Sequence, residues 1–159
     1  MAKREYLEIE NAQLKWPNFS GRPTDFKPQG GVRSVNVVLE DDEMTQKLID
    51  DGWNVKIKAP REEGDEPLKY LEVFIRFDNF PPKVYMVSSR NKVELDEDTI
   101  GDLDNYEIES ADLIINPYNW EANGKTGIKA YLKTGYFNIV EDRFAAKYDK
   151  PAEIEIPFD

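Results

Sequence analysis

Three segments of the sequence, 53–59, 69–77 and 127–133, alternate between apolar residues and a second set rich in cations and aromatic rings. This mixture suits single-stranded nucleic acid, because cations neutralise phosphates and rings stack on unpaired bases. A period of two is typical of β-strands, whose successive side chains point to opposite faces. The sequence therefore predicts a DNA-binding groove on the second face of three strands. Its residues would be Lys56, Lys58, Tyr70, Phe74, Arg76, Lys129, Tyr131 and Lys133.

A loop that begins at residue 16 and a hairpin near residue 124 supply further candidates. The loop is rich in proline and glycine, and its rings could clamp a bound strand or plug the end of a barrel. An ordinary solvated strand face is the alternative for the whole set, since aromatic residues also favour strands. The candidates added to the DNA-binding set are Trp16, Phe19, Arg22, Arg33, Trp120 and Lys125.

The sequence lacks the usual signs of an enzyme. It has no cysteine and no histidine, which removes thiolate ligands and the commonest general base. The stretch "NGKTG" ends like a phosphate-binding loop, but Asn119 stands where the first glycine of that motif is required. We therefore expect no catalytic residue and no cofactor.

The acidic stretch "DEDTIGDLDNYE" is the closest match to a metal site. Asp96, Asp98, Gly101 and Glu107 fall at positions one, three, six and twelve of a calcium-binding loop. Ile100 occupies position five and cannot ligate a cation, so the sequence favours an acidic loop in solvent and no metal site. A metal-dependent nuclease that uses these carboxylates is one alternative function.

The formal net charge of −11 is distributed unevenly along the chain. Residues 94–112 hold nine acids and no base, whereas residues 124–140 hold three lysines and no acid. The overall acidity therefore leaves room for the cations that phosphate binding requires. The first alternative function is a protein-interaction module whose acidic surface is its working face and which binds no nucleic acid; the nuclease is the second.

The order of elements predicts a mainly β fold. A helix is expected over 41–52, one or two helical turns near 96–103, and a hairpin turn at Asn123-Gly124. Strands do not alternate with long helices, which favours a small antiparallel barrel with one or two short helices, the architecture of the OB fold. The six or seven strands are expected near 6–14, 32–39, 53–59, 69–77, 84–87, 111–121 and 127–140.

No segment of the sequence indicates a membrane or an export signal. No apolar run approaches the roughly 20 residues that cross a bilayer, and the first ten residues lack the apolar core of a signal peptide. A cytoplasmic protein with no membrane partner is therefore expected.

Several stretches of the sequence, taken in order, resemble the phage single-stranded DNA-binding proteins of OB fold that serve replication and recombination. These stretches are "NFSGRPTDFKPQGGVRSVNVVLEDDE", "DGWNVK", "GDEPLKYLEV", "NPYNW" and "GIKAYLKTGYFNIVEDRFAAKY", and the resemblance covers residues 10–148. It implies an OB barrel over residues 1–148, sequence-independent binding of single-stranded DNA in the host cytoplasm, and no catalysis. The oligomeric state is left open.

The last residues, 149–159, are predicted to form a flexible acidic tail. They resemble the C-terminal tip of bacterial single-stranded DNA-binding proteins, which docks on replication and repair partners, although here Asp159 follows the phenylalanine. The resemblance implies a partner-binding tail formed by Glu153, Glu155, Ile156, Pro157 and Phe158. A final barrel strand is the alternative, because "EIEI" alternates.

Overall fold

The structure is a computed structural model that describes residues 6–25, 28–78, 81–89 and 91–140. The described residues form eight strands, one α-helix and one 3-10 helix. The helix α1 spans Asp42–Asp51 and the 3-10 helix spans Ile100–Asn105. The strands are β1 Leu7–Asn18, β2 Arg33–Val38, β3 Val55–Lys58, β4 Leu68–Ile75, β5 Lys83–Val87, β6 Lys92–Leu95, β7 Ile108–Ala122 and β8 Lys125–Ile139.

Five of the strands close into a barrel, which confirms the predicted fold class. Antiparallel pairs join β4, β2, β1, β7 and β8 in that order, and a short parallel pairing between β4 and β8 closes the ring. β3 extends the barrel beside the first half of β4. β5 pairs in parallel with the second half of β8, and β6 completes the sheet beyond it.

The core fills the barrel with alternate side chains of these strands. Val35, Leu71, Val73 and Ile115 are almost completely buried. Since the side-chain period of a strand is two, the residues between these positions point outward. The register of the core therefore decides which residues form the outer surface.

The helix α1 forms where its sequence signals place it. Asp41 caps its first turn, because the carboxylate oxygen accepts hydrogen bonds from the backbone N–H groups of Glu43 at 3.0 Å and Met44 at 3.2 Å. Gly52 ends it in the left-handed region with φ 98°. The predicted helix is thus confirmed, and it leads directly into β3.

The hairpin between β7 and β8 also follows its local sequence. Asn123 and Gly124 both have positive φ values, 52° and 78°, as a two-residue turn between twisted strands requires. The hairpin brings two 15-residue strands into register. This pairing supplies much of the surface described below.

The structure differs from the sequence-based expectations at three places. β1 continues past its predicted end to Asn18. A register shift between Lys15 and Asn18 accommodates Trp16, whose backbone is in the left-handed region with φ 50°. β6 was not predicted. In β3 the side chain of Ile57, expected on an apolar face, is 58% exposed, because this edge strand extends beyond the core.

Two further expectations concern the C-terminal tail and the absence of a membrane span. The domain boundary at residue 148 and the tail residues 149–159 lie outside the described residues. Among the described residues, neither helix has the length and apolar character to cross a bilayer.

Candidate nucleic-acid interface

Most of the predicted groove residues gather on one outer face of the barrel, which we call the cation–aromatic face. Along β4 the rings of Tyr70 and Phe74 alternate with the buried side chains of Leu71, Val73 and Ile75, so both rings point away from the core. The face consists of Trp16, Lys56, Lys58, Tyr70, Phe74, Arg76, Tyr118, Lys129, Tyr131 and Lys133.

Strand pairing brings these residues together. Lys56 of β3 lies opposite Tyr70 of β4. On the other side, β4 meets β8, where Phe74 lies opposite Tyr131. A surface built on several paired strands is rigid, so its rings are held in place before any ligand arrives.

The first end of the cation–aromatic face is built around Trp16. Its ring packs edge to face against Tyr70, with 5.3 Å between ring centroids. The ammonium groups of Lys58 and Lys15 lie 5.1 Å and 5.7 Å from the Trp16 ring, within cation–π range. Trp16 remains 48% exposed, so a base can reach its ring.

The second end is built around Tyr131. Its ring centroid lies 6.0 Å from that of Phe74 and 5.8 Å from that of Tyr118. The Lys129 ammonium lies 4.6 Å from the Phe74 ring, and the Arg76 guanidinium lies 5.8 Å from the Tyr131 ring. Rings and cations are therefore interleaved, which is the arrangement that follows the bases and phosphates of a single strand.

Two acids reduce the positive charge of this face. Glu72, whose side chain is only 11% exposed, pairs with the Lys56 ammonium at 2.9 Å and accepts a hydrogen bond from the Ser34 hydroxyl at 3.1 Å. Arg76 pairs with Asp78. The hydrogen bonding of the Arg76 guanidinium to the Asp78 carboxylate raises the pKa of Arg76 above its ordinary value, with a smaller contribution from Tyr131. The guanidinium therefore stays charged.

An open groove of about 820 Å³ begins at the Tyr131 end. Tyr118, Tyr131 and Lys133 line it together with Tyr6, whose ring lies 4.9 Å from the Lys133 ammonium. Lys83 lines it as well. The groove thus continues the chemistry of the cation–aromatic face beyond β4.

Trp120 and Lys125 lie at the hairpin end of the same outer surface. Trp120 is opposite Gly127, and a Cβ atom at Gly127 would come within 2.7 Å of the Trp120 ring and 2.8 Å of the Asn54 amide oxygen. Glycine is therefore required for the ring to lie flat against β8. Lys125 is exposed beside the turn.

Phe19 is the one predicted ring that the structure removes from the interface. Its side chain is 0% exposed and packs edge to face on Phe137, with 5.1 Å between ring centroids. Asp104 fixes the same residue by accepting a hydrogen bond from its backbone N–H at 2.9 Å. Phe19 plugs the end of the barrel, and the prediction that it contacts DNA is wrong for this structure.

Arg22 and Arg33 are directed toward the acidic stretch rather than toward the cation–aromatic face. Arg22 forms an ion pair with Asp104 at 2.9 Å. Arg33 lies on the inner side of β2, opposite the buried Ile75, and donates to the backbone oxygen of Glu97 at 3.4 Å. Neither arginine lies on the cation–aromatic face, contrary to the prediction, because both interact with nearby acidic residues.

Sequence reasoning missed several members of this surface. Tyr6, Lys15 and Tyr118 lie beside predicted residues but are not among them. The period of two along β7 was the available signal for Tyr118, since it shares a face with Trp120. No local signal pointed to Tyr6, whose position depends on the pairing of β1 with β7.

The acidic stretch forms a turn before the 3-10 helix. The Asp96 carboxylate accepts hydrogen bonds from the Thr99 hydroxyl at 3.0 Å and from the backbone N–H of Asp98 at 3.0 Å. The Thr99 hydrogen bond holds the pKa of Asp96 below its ordinary value. Among the described residues, no three acids converge in a way that could hold a metal ion.

A five-strand barrel whose outer face interleaves rings with cations defines an OB-fold protein of the class that binds single-stranded nucleic acid. A sequence model described as "Putative phage ssDNA-binding domain" matches residues 1–158. The chain therefore belongs to this family of phage single-stranded DNA-binding domains. No curated protein sequence matches the chain.

Solved structures show the same fold at low sequence identity. The single-stranded DNA-binding protein from bacteriophage Enc34 is 13% identical, with a TM-score of 0.52, over 87% of this chain and 83% of that one. The same phage protein in complex with ssDNA gives 13% identity and a TM-score of 0.52, over 87% of this chain and 89% of that one. These similarities establish the barrel, whereas the site rests on the residues described above.

Proposed function

We propose that the cation–aromatic face binds single-stranded DNA without sequence preference and without catalysis. The observation that carries the proposal is the row of rings from Trp16 to Tyr131, with lysines placed over it. Every base has a π face, so stacking tolerates any sequence, and each stacked base contributes about 1–3 kcal/mol. The protein would coat exposed strands during phage replication and recombination in the host cytoplasm.

Stacking is expected to contribute more to affinity than phosphate contacts. Lys56 and Arg76 already have carboxylate partners, so their ion pairs compete with phosphates. Lys58, Lys129 and Lys133 lie over rings and can reach the backbone of a strand that stacks there. A mode of binding dominated by rings fits a chain with an excess of acids.

Replacing Glu72 by glutamine is expected to tighten binding of labelled oligo-dT by about fivefold, because loss of one nearby negative charge is worth about 1 kcal/mol. The change frees Lys56 for a phosphate, so the slope of log affinity against log salt should steepen by about one contact. Wild-type protein should show a shallow slope of about three to five contacts. Fluorescence anisotropy between about 50 and 200 mM salt measures both quantities.

Glu107→Gln is the matched control, because it removes the same charge at an exposed position next to the 3-10 helix. Equal gains in both variants would mean that net charge, and not this face, controls binding. Wild-type affinity that is independent of salt, or a preference for duplex DNA, would contradict the proposed site. Oligonucleotide cleavage with magnesium would favour a nuclease instead.

We propose further that Glu153, Glu155, Ile156, Pro157 and Phe158 form a docking tail for replication and recombination proteins. An aromatic anchor with acids around it suits an apolar pocket with a basic rim. Phe158→Ala should abolish pull-down of host replication proteins while the affinity for oligo-dT stays unchanged. Asp159→Asn, which keeps the ring, serves as the control.

Truncation after residue 148 separates the alternatives for the tail. A drop of several degrees in melting temperature would identify 149–159 as a barrel strand, because a loss of about 1 kcal/mol shifts a domain of this size by a few degrees. A gain in oligonucleotide affinity that shrinks as salt rises would instead show that the tail shields the groove. The pull-down with Phe158→Ala tests the docking role independently of both results.

A further inference from the structure

A second pair of rings lies on the outer surface of the protein, away from the cation–aromatic face. Tyr85 of β5 and Tyr136 of β8 are stacked, with 4.8 Å between ring centroids and 13° between ring planes. The Lys92 ammonium lies 5.1 Å from the Tyr85 ring and 5.9 Å from the Tyr136 ring. The elements of base and phosphate recognition are therefore repeated here.

The strand register explains the outward position of both rings. Tyr85 lies opposite Tyr136 in the parallel pairing of β5 with β8. Their neighbours Val84, Gly135 and Phe137 are buried, so the tyrosines point to the opposite side and are partly exposed. The ring pair is thus available from solvent without any movement of the core.

The open groove extends from the first site toward this pair. Lys83 and Thr134 line the groove together with Tyr131. Lys83 is opposite Thr134, and two residues further along the same strands are Tyr85 and Tyr136. A strand that leaves the Tyr131 ring along the groove is therefore directed toward the stacked pair.

The distance fits a short extension of one bound strand. Tyr131 and Tyr136 are five residues apart on β8, which corresponds to about 17 Å at about 3.3–3.4 Å per residue. That length holds at most about five nucleotides at the rise of one duplex strand, about 3.4 Å each, and fewer in an extended strand. A handful of nucleotides is within the range that an OB fold covers.

Cations slightly outnumber acids along this route. Lys133 and Lys83 line the groove, and Lys92 follows at the ring pair. Two acids lie opposite the ring pair in the strand register, Glu94 opposite Tyr85 across β5 and β6 and Asp112 opposite Tyr136 across β7 and β8. Arg76 and Asp78 line the groove as well, so four cations against three acids leave the described residues of this route with a small positive balance.

We propose that Tyr85, Tyr136 and Lys92 form a second stacking site for the same single strand of DNA. A base adds to the outer face of the existing ring stack, and Lys92 takes a neighbouring phosphate. The inference rests on the proposed function and extends it, since the bound strand then follows β8 from the cation–aromatic face to this second site.

Oligo-dT of graded length tests the second site. Tyr136→Leu and Lys92→Gln should bind the shortest oligonucleotides as tightly as wild type does. Tyr136→Leu should bind long ones at least about fivefold more weakly, the change that one stacked base worth about 1 kcal/mol produces. The number of nucleotides occluded per protein on poly-dT should fall in the same variant.

Tyr106→Leu is the matched control, because Tyr106 is an exposed tyrosine after the 3-10 helix and lies in neither ring cluster. Melting temperatures verify that Tyr136→Leu folds, and the exposed Lys92→Gln tests the site without touching a ring. If wild type binds oligo-dT, and Tyr136→Leu and Lys92→Gln bind it with the same affinity at every oligonucleotide length, the second site is wrong and the proposed function stands. If the variants instead lose self-association while the number of occluded nucleotides per protein stays the same, the ring pair is a contact between copies of the chain and the second site is wrong. If wild type does not bind oligo-dT at all, both proposals are wrong.

Discussion

Phe74→Leu should weaken the binding of oligo-dT by about 1–3 kcal/mol, a loss of roughly fivefold to more than a hundredfold. Phe74 lies at the centre of the cation–aromatic face, 6.0 Å from the Tyr131 ring and under the Lys129 ammonium at 4.6 Å. Leucine keeps an apolar side chain of similar bulk but has no π face on which a base can stack. Titration at low salt, followed by fluorescence anisotropy, measures the change.

The folded state of the Phe74 variant must be established separately. Its melting temperature should stay within a few degrees of wild type, because the Phe74 ring lies on the outer face of β4. Tyr106→Leu, which removes an exposed ring elsewhere, should leave affinity unchanged. A variant that melts earlier yet binds oligo-dT normally when folded would make Phe74 a packing residue and would contradict the register that places it outward.

Phe19→Ala should lower the free energy of unfolding by about 3–5 kcal/mol, the usual cost of removing a large buried ring. Phe19 is completely buried against Phe137 at the end of the barrel, so the substitution leaves a cavity. For a domain of this size the melting temperature should fall by roughly 6–20 °C. Thermal unfolding followed by circular dichroism measures the loss.

Binding experiments on the same variant decide the role of Phe19. Below its melting transition, Phe19→Ala should bind oligo-dT as tightly as wild type, and Phe19→Leu should recover most of the stability. Weakened binding without a loss of stability would restore the original prediction that this ring contacts DNA. Phe74→Leu should therefore lower affinity and leave stability unchanged, whereas Phe19→Ala should lower stability and leave affinity unchanged.

Local sequence patterns predicted the elements that depend on near neighbours. The period of two in β4 and β8 placed Tyr70, Phe74 and Tyr131 on one face, because side-chain alternation is a property of the strand itself. The cap at Asp41 and the turn at Asn123-Gly124 are likewise local. The barrel and its candidate face followed from these patterns together with the resemblance to phage proteins.

Features that depend on distant parts of the chain were not predictable in this way. The pairing of β5 with β8 joins segments about fifty residues apart, and nothing in either segment specifies it. The same reason explains Phe19, since an aromatic ring in a proline-rich loop has no local signal for burial. Lys56 pairs with Glu72 of the neighbouring strand β4, a contact that the alternating pattern of either strand does not reveal.

The position of β8 has a consequence for how the protein is made. β8 pairs with β7, β4 and β5, and it also carries Lys129, Tyr131 and Tyr136. Synthesis proceeds from the N-terminus at about 5–20 residues per second, so the first four strands emerge several seconds before residue 125 does. A nascent chain that lacks β8 can neither close its barrel nor assemble the stacking surface. Closure of the barrel and completion of the proposed DNA-binding surface therefore occur in the same late step, and a translation product that ends before residue 125 has neither.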